Sequence, residues 1–327
     1  MTGLSFPFNI YLGALAGAFL ATLVSVPLWR GWCLRHGLVD DPGQRKIHAE
    51  PMPLAGGLAV LTGFLAPLIL GVVATKFHWL GAGAAAPIGH GLSRKAEPLG
   101  AIIAGAVAVT GLGYWDDRRE LRPLPKFAGQ LLIALLLAAA GVRVTLFVHN
   151  LAFSYAVTAL WMLTVINAFN FMDNMNGLCA GLGLIAGWCF AVIAAASGQY
   201  LVAVVALLAC GALLGFLPYN FPRARTFLGD AGSHLVGYLL AVLAILPHFY
   251  SRENPSVLAV LKPLLILAVP LGDLVWVVAL RWRLGRPFYE GDTNHLSHRL
   301  VRGGLSRTRA VVVIWLLGVL AGALAVG

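Results

Sequence analysis

The feature that most limits what this 327-residue chain can fold into is a series of ten apolar runs. They fall at about 8–29, 54–75, 99–115, 127–141, 151–169, 178–197, 200–217, 233–249, 257–280 and 308–326. An α-helix needs ~20 apolar residues to cross a bilayer, and the shorter runs lie near the lower limit. Only 11% of the residues are charged, against about 25% in a soluble domain. The thirteen acids are too few to coat a water-facing surface of this size. A soluble globular protein is excluded, and so is a disordered chain. Ten spans take up about 200 residues and leave about 130 for loops and ends. The expected fold is an all-α, polytopic integral membrane protein of about ten transmembrane helices, forming one domain over residues 1–327. Cys33, Cys179, Cys189 and Cys210 form no CxxC pair and read as small packing residues. No basic residue precedes Arg30, so the charged n-region of a signal peptide is missing and the first run is expected to remain as a span.

Alternating the loops from an outside N-terminus sorts the charges. One side receives 17 of the 23 Lys and Arg residues, and the other receives Lys76, Arg94, Lys95, Arg143, Arg252 and Lys262. The positive-inside rule makes the richer side cytoplasmic and puts both termini outside. The basic residues are scattered over five loops, which speaks against nucleic acid as a partner and leaves the lipid bilayer as one. Eleven of the thirteen acids lie on the same side or at that end of a span. The positive-inside rule does not require this, so a polar site on the cytoplasmic face is expected.

Residue types in the cytoplasmic loops point to phosphate chemistry. Asp116 and Asp117 end a span beside Arg118, Arg119 and Arg122. Hard carboxylate oxygens at a rigid helix end suit Mg²⁺, which binds one or two carboxylates plus substrate phosphate; a solvated helix end is the plainer reading. In NAFNFMDNMNG, Asn167, Asn170 and Asp173 recur every three residues and share one helical face. Asp230 sits among small residues at a helix start, where a metal or phosphate can approach closely and where an N-cap is the bland alternative. Arg45, Lys46 and His48 fit phosphate or ordinary positive-inside charge equally well. If 294–302 is helical, His295, His298, Arg299 and Arg302 form one stripe, with Leu296 and Leu300 on another. Two histidines beside arginine fit phosphate better than zinc. Asp273 lies eight residues before Arg281, about 12 Å along a helix. An ionisable group at that depth is a functional candidate, or else a partner for an arginine.

In order, GLVDDPGQRKIHAEPMPLAGG, GYWDDRRELRPLPKFAGQ, NAFNFMDNMNG, NFPRARTFLGDAGSHLVG, PLGD and GDTNHLSHRL resemble the polyprenyl-phosphate N-acetylhexosamine-1-phosphate transferase family over about residues 37–309. The resemblance implies ten or eleven spans around a cytoplasmic active site in the bacterial cytoplasmic (inner) membrane. It implies transfer of a sugar 1-phosphate from a UDP-N-acetylhexosamine to polyprenyl (undecaprenyl) phosphate, with loss of UMP, as the first membrane step of a cell-envelope glycan. RKIHAEPMPLAGG resembles the branch using UDP-GlcNAc-type donors more than the phospho-N-acetylmuramoyl-pentapeptide transferases. By the same resemblance, Asp116 and Asp117 match the family's aspartate pair, and Asp117 and Asp230 are expected to hold Mg²⁺, with Mn²⁺ as the alternative. Lys126 matches a phosphate-site lysine. Asn170, Asp173, Asn176 and Asn220 fall to substrate binding, and Phe227 to stacking on uracil. His295, His298 and Arg299 match a loop that closes on the diphosphate. Arg45, Lys46 and His48 join the substrate-binding set, and a homodimer is left open.

The chain departs from the family pattern in two places. Asn174 and Asn176 stand where a glycine and a second aspartate are usual, and Ser297 stands where members often carry a second adjacent histidine. Two other readings compete. A secondary transporter would place its polar groups near the midplane on broken helices, whereas here only Asp273 is deep. A prenyltransferase with an aromatic acceptor would want two Asp-rich motifs of similar form, and DDRRE is half of one.

Overall fold

The computed structural model describes residues 5–41, 50–77, 79, 89, 95–145, 148, 150–247, 257–289 and 291–327. The helices are α1 Phe8–His36, α2 Gly56–Lys76, α3 Ala96–Arg119, α4 Pro123–Ala139, α5 Leu151–Met172, α6 Leu178–Ala196, α7 Tyr200–Asn220 and α8 Gly229–Leu243. They continue as α9 Lys262–Ile266, α10 Ala268–Arg283, α11 Leu296–Arg302 and α12 Arg307–Val326, with a 3₁₀ turn at Val257–Leu261. The protein is thus a helical, multi-pass membrane protein, and every apolar run is helical over most of its length. One pair of short strands joins the helices: β1 Val39–Asp40 runs antiparallel to β2 Met52–Pro53. It closes the loop after α1. Arg45, Lys46 and His48 lie outside the described residues.

Among the described residues, seven helices are long and apolar enough to cross a membrane, and eight spans result if a bent pair counts as one. The run at 257–280, expected as a single span, is broken: its two parts meet at 71°. Pro270 explains the break. In a continuous helix its ring would collide with the carbonyl of Ile266, so the chain turns at Leu267 and starts again. The runs at 127–141 and 233–249 form the shorter helices α4, with 17 residues, and α8, with 15.

Outward-facing side chains are apolar on helices that water would not tolerate. Leu12, Leu20 and Leu28 on α1 and Leu316, Leu320 and Leu324 on α12 are exposed, a surface suited to lipid rather than water. The centre is α8, which packs against α2, α3, α5 and α6. All its residues are buried except Asp230. Small residues permit this close approach: a Cβ on Gly113 of α3 would come within 2.4 Å of the Asp230 carbonyl oxygen. Alternate helix ends gather at one face, so the C-terminal ends of α3, α5 and α7 and the turn after α5 meet the N-terminal ends of α4, α8 and α12 around one cavity.

Candidate active site

The cavity has a volume of about 1380 Å³. Asp116, Asp117, Lys126, Asn170, Asp173, Asn176, Asn220, Phe227, Asp230 and His298 all line it, although they are far apart in the chain.

Its floor is the junction of α3 with α8. Asp117 Oδ1 accepts a hydrogen bond from the backbone N–H of Asp230 at 2.7 Å, and Oδ2 accepts one from Ala231 at 3.0 Å. The carboxylate thereby caps the positive end of α8 and satisfies two of its free donors. Gly229 is required at this contact. Its φ is +71°, and a Cβ there would lie 2.8 Å from Asp117 Oδ2. Asp116 serves the opposite side. Its Oδ1 accepts from Leu121 N–H at 2.8 Å, fixing the turn into α4, and its Oδ2 lies 2.6 Å from Lys126 Nζ.

Lys126 stands between two carboxylates, because Asp230 Oδ2 is 2.9 Å from the same ammonium. Burial disfavours the ammonium, but the two aspartates outweigh that cost and hold its pKa above the ordinary lysine value. Burial likewise opposes charge on Asp230, and the Lys126 ammonium prevails, keeping that carboxyl well below the usual carboxylate range. Asn170 Nδ2 donates to Asp230 Oδ1 at 2.6 Å and to Ser233 Oγ at 3.0 Å. Asp173 caps the end of α5. Burial raises its carboxyl pKa well above the ordinary value, and the charges of Asp230 and Asp117 add to this.

The amides divide into bound and free. Asn220 Oδ1 accepts from Gly177 N–H at 2.6 Å and its Nδ2 donates to Thr226 O at 3.0 Å, so both ends hold backbone. Asn176 Nδ2 reaches Pro222 O at 3.4 Å, and its oxygen has no protein donor among the described residues.

The expected stripe on α11 divides. His298 lines the cavity, where burial and the neighbouring charges of His295, Arg302 and Arg307 lower its pKa against the pull of Asp273. Arg299 is exposed and lies 4.6 Å from the centre of the Trp276 ring, away from the cavity. His295 is buried and is not part of the lining; its Nδ1 is 2.6 Å from Asp273 Oδ2. Asp273 Oδ1 accepts from Leu296 N–H at 2.6 Å. The partner of Asp273 is therefore a histidine, and Arg281 pairs with Asp292 at 2.7 Å instead.

Several residues at the site were not singled out from sequence. Arg223 and Arg307 line the cavity; on sequence they merge with the positive-inside charges. Gln130 and His234 are fully buried beneath it. Asn167 Nδ2 donates to Gln130 Oε1 at 2.7 Å, and His234 Nδ1 has no partner among the described residues. The available signal was a polar residue inside an apolar run. Asp116, Asp230 and His234 offer ligand atoms within 4.8 Å of one another. Two carboxylates beside open cavity fit a hard dication that completes its shell with water and phosphate, while a single imidazole nitrogen falls short of a zinc set.

The model of glycosyl transferase family 4 matches residues 99–248, the stretch that runs from α3 through α8. The chain is 30% identical to the "Probable undecaprenyl-phosphate N-acetylglucosaminyl 1-phosphate transferase" of Bacillus subtilis, over 92% of this chain and 80% of that protein. It is 33% identical to the decaprenyl-phosphate N-acetylglucosaminephosphotransferase of Mycobacterium tuberculosis, over 94% and 80% respectively. A phospho-N-acetylmuramoyl-pentapeptide-transferase of Limosilactobacillus fermentum matches at 31% identity, over 70% and 73%. The chain belongs to glycosyl transferase family 4, the polyprenyl-phosphate N-acetylhexosamine-1-phosphate transferases.

Proposed function

We propose that the protein transfers N-acetylhexosamine 1-phosphate, with N-acetylglucosamine as the sugar, from the UDP-sugar to undecaprenyl phosphate. An oxygen of the lipid phosphate attacks the phosphorus that carries the sugar. The bond from that phosphorus to the UMP oxygen breaks, giving UMP and a lipid-linked diphosphate sugar. The observation that carries this reading is the meeting of Asp116, Asp117, Asp173 and Asp230 with Lys126 in one cavity of about 1380 Å³. That volume exceeds the ~300–1,000 Å³ of a site for one small molecule, in keeping with two substrates. Leu163, Leu274 and Val278 continue the lining along α5 and α10, an apolar path suited to the start of a prenyl chain.

In this reading Asp116 and Asp117 orient the lipid phosphate or remove its last proton. Lys126, with Arg223, Arg307 and His298, offsets phosphate charge. Asn170, Asp173 and Asn176 face the nucleotide, with Phe227 beneath the base and Asn220 shaping the turn. Arg45, Lys46 and His48 are assigned to the phosphates from the sequence resemblance alone. Mg²⁺, or Mn²⁺ in its place, would be held by Asp230 with the aspartate pair and supplies charge stabilisation to the transferring phosphoryl group. The ten apolar runs are read as ten crossings of one domain in the bacterial inner membrane. Its termini are outside and its cavity faces the cytoplasm, on the side that carries most of the basic residues. The GlcNAc donor is preferred to the muramoyl-pentapeptide donor because relatives named for the former align over more of the chain. A transporter is disfavoured because the polar groups gather at one face.

The test is UMP release by detergent-purified protein given Mg²⁺, UDP-GlcNAc and C55 polyprenyl phosphate. Release should require both substrates and should be much slower with UDP-MurNAc-pentapeptide. A folded protein that releases no UMP with any UDP-N-acetylhexosamine refutes the reading.

A further inference from the structure

Two elements that contribute to the cavity lining meet at a side-chain hydrogen bond. The turn after α5 carries Asp173, Asn174 and Asn176, and α11 carries His298. Ser297 is fully buried, and its hydroxyl lies 2.6 Å from Asn174 Oδ1. The polarity of this bond is fixed. Asn174 Nδ2 donates to Phe171 O at 2.7 Å, so the amide oxygen is the atom left facing Ser297, and the hydroxyl must donate. A helix of seven residues cannot hold itself in place. Its start is fixed to α10 through Asp273, His295 and Leu296 N–H. The Ser297–Asn174 bond is its direct side-chain link to the turn that faces the cavity.

We propose that Asn174 and Ser297 are paired positioning residues that couple the donor-facing turn to the helix carrying His298, so that both elements are set together around the nucleotide diphosphate. This inference rests on the transferase reading above. Neither residue touches the reacting atoms; each acts through its neighbour, Asn174 through Asp173 and Asn176, and Ser297 through His298.

The test is a double-mutant cycle on full-length protein in detergent, with kcat and KM for UDP-GlcNAc measured separately. Asn174→Ala and Ser297→Ala should each lower kcat/KM about tenfold, within the range for a buried hydrogen bond left half-made. The double variant should be no worse than either single one. Multiplicative losses in the double variant would overturn the proposal. Hydrogen exchange of the 296–302 amides is the second readout and does not depend on activity. Asn174→Ala should speed it while the remaining helices keep their protection; unchanged exchange also overturns the coupling. If the wild type released no UMP, the transferase reading would fail alone, and the exchange measurement would still decide whether the two elements are linked.

Discussion

Lys126→Met is the most informative single change at the site. In the wild type one ammonium lies 2.6 Å from Asp116 and 2.9 Å from Asp230. Removing it leaves two carboxylates whose oxygens approach within 4.8 Å. At an effective dielectric of ~20, unit charges that close repel by about 3 kcal/mol. Opposite charges within hydrogen-bonding range lower a carboxyl pKa by about 1–3 units, and that lowering is lost with the lysine. Asp230 is 32% exposed, so solvent screening puts the expected change in the lower half of that range, about 1–2 units. The sign follows from the wild type. Asp230 is held below the usual carboxylate range, so its stabilising contribution is complete above about pH 4 and fades only as pH falls toward its folded value. In Lys126→Met a proton binds at higher pH. The acid limb of the pH–rate profile should therefore move up by about 1–2 units, together with a loss of rate, while Lys126→Arg keeps the limb near its original place. The assay is UMP release across pH, with thermal unfolding as the control for folding. A uniform loss of rate with an unmoved acid limb would show that Lys126 serves substrate phosphate alone and does not set the carboxylates.

Asp116→Asn, Asp117→Asn and Asp230→Asn should each lower turnover by about two orders of magnitude or more, as loss of a group stabilising transition-state charge does; near wild-type rates in all three would remove the site assignment. Single cysteines placed by Arg119→Cys, Arg225→Cys and Arg302→Cys in a Cys-free background should react with an impermeant reagent only from the cytoplasm, and Arg143→Cys only from outside; labelling of the Arg302→Cys protein on intact cells would overturn the orientation. Asn176→Leu should raise the KM for the UDP-sugar about tenfold and Asn176→Asp should leave most activity, because the free oxygen is the acceptor the position offers; an unchanged KM in the leucine variant would give the position another role. Chelation of divalent ions should abolish UMP release and added Mg²⁺ should restore it; full activity in excess chelator would exclude the proposed metal.

How much of this could be read from sequence differed from residue to residue. Asp116, Asp117 and Asp230 were legible as candidates because acids gather at one end of the apolar runs, beside the plainer readings of a solvated helix end and an N-cap. Their division of labour was not, because the partners of Asp117 are backbone groups of residues 230 and 231. The face of Asn167, Asn170 and Asp173 followed from helical spacing, and all three line the cavity. The same spacing misled at α11. Residues 298 and 299 differ by about 100° around a helix, enough for one to enter the cavity and the other to lie on Trp276. The break in the run at 257–280 was written in Pro263 and Pro270, but a hydropathy pattern does not register a missing N–H. Gln130 and His234 were hidden because a lone polar residue in an apolar run looks alike whether it faces a site or only a neighbouring helix.

The charges around the cavity bear on how two anionic substrates come to share it. Among the described residues its lining holds seven acids, Asp40, Asp41, Asp116, Asp117, Glu120, Asp173 and Asp230, and three permanent cations, Lys126, Arg223 and Arg307. Lys126 is already engaged by two of the acids. A UDP-sugar and a lipid phosphate both add negative charge to this balance. Unaided entry would bring like charges together in a partly buried space, where solvent screens them weakly. Extra positive charge can come from a dication arriving with the diphosphate, or from the cationic sides of the cavity drawing together. The buried contacts that tie α11 to α10 and to the turn after α5 bear on the second route, since they set where His298 stands before either substrate arrives. The acids bear on the first, because hard oxygens gathered at the start of a fully packed helix hold their positions without reorganising. If the proposed metal is used, a site built this way should bind either anion poorly alone and better when metal and donor enter together.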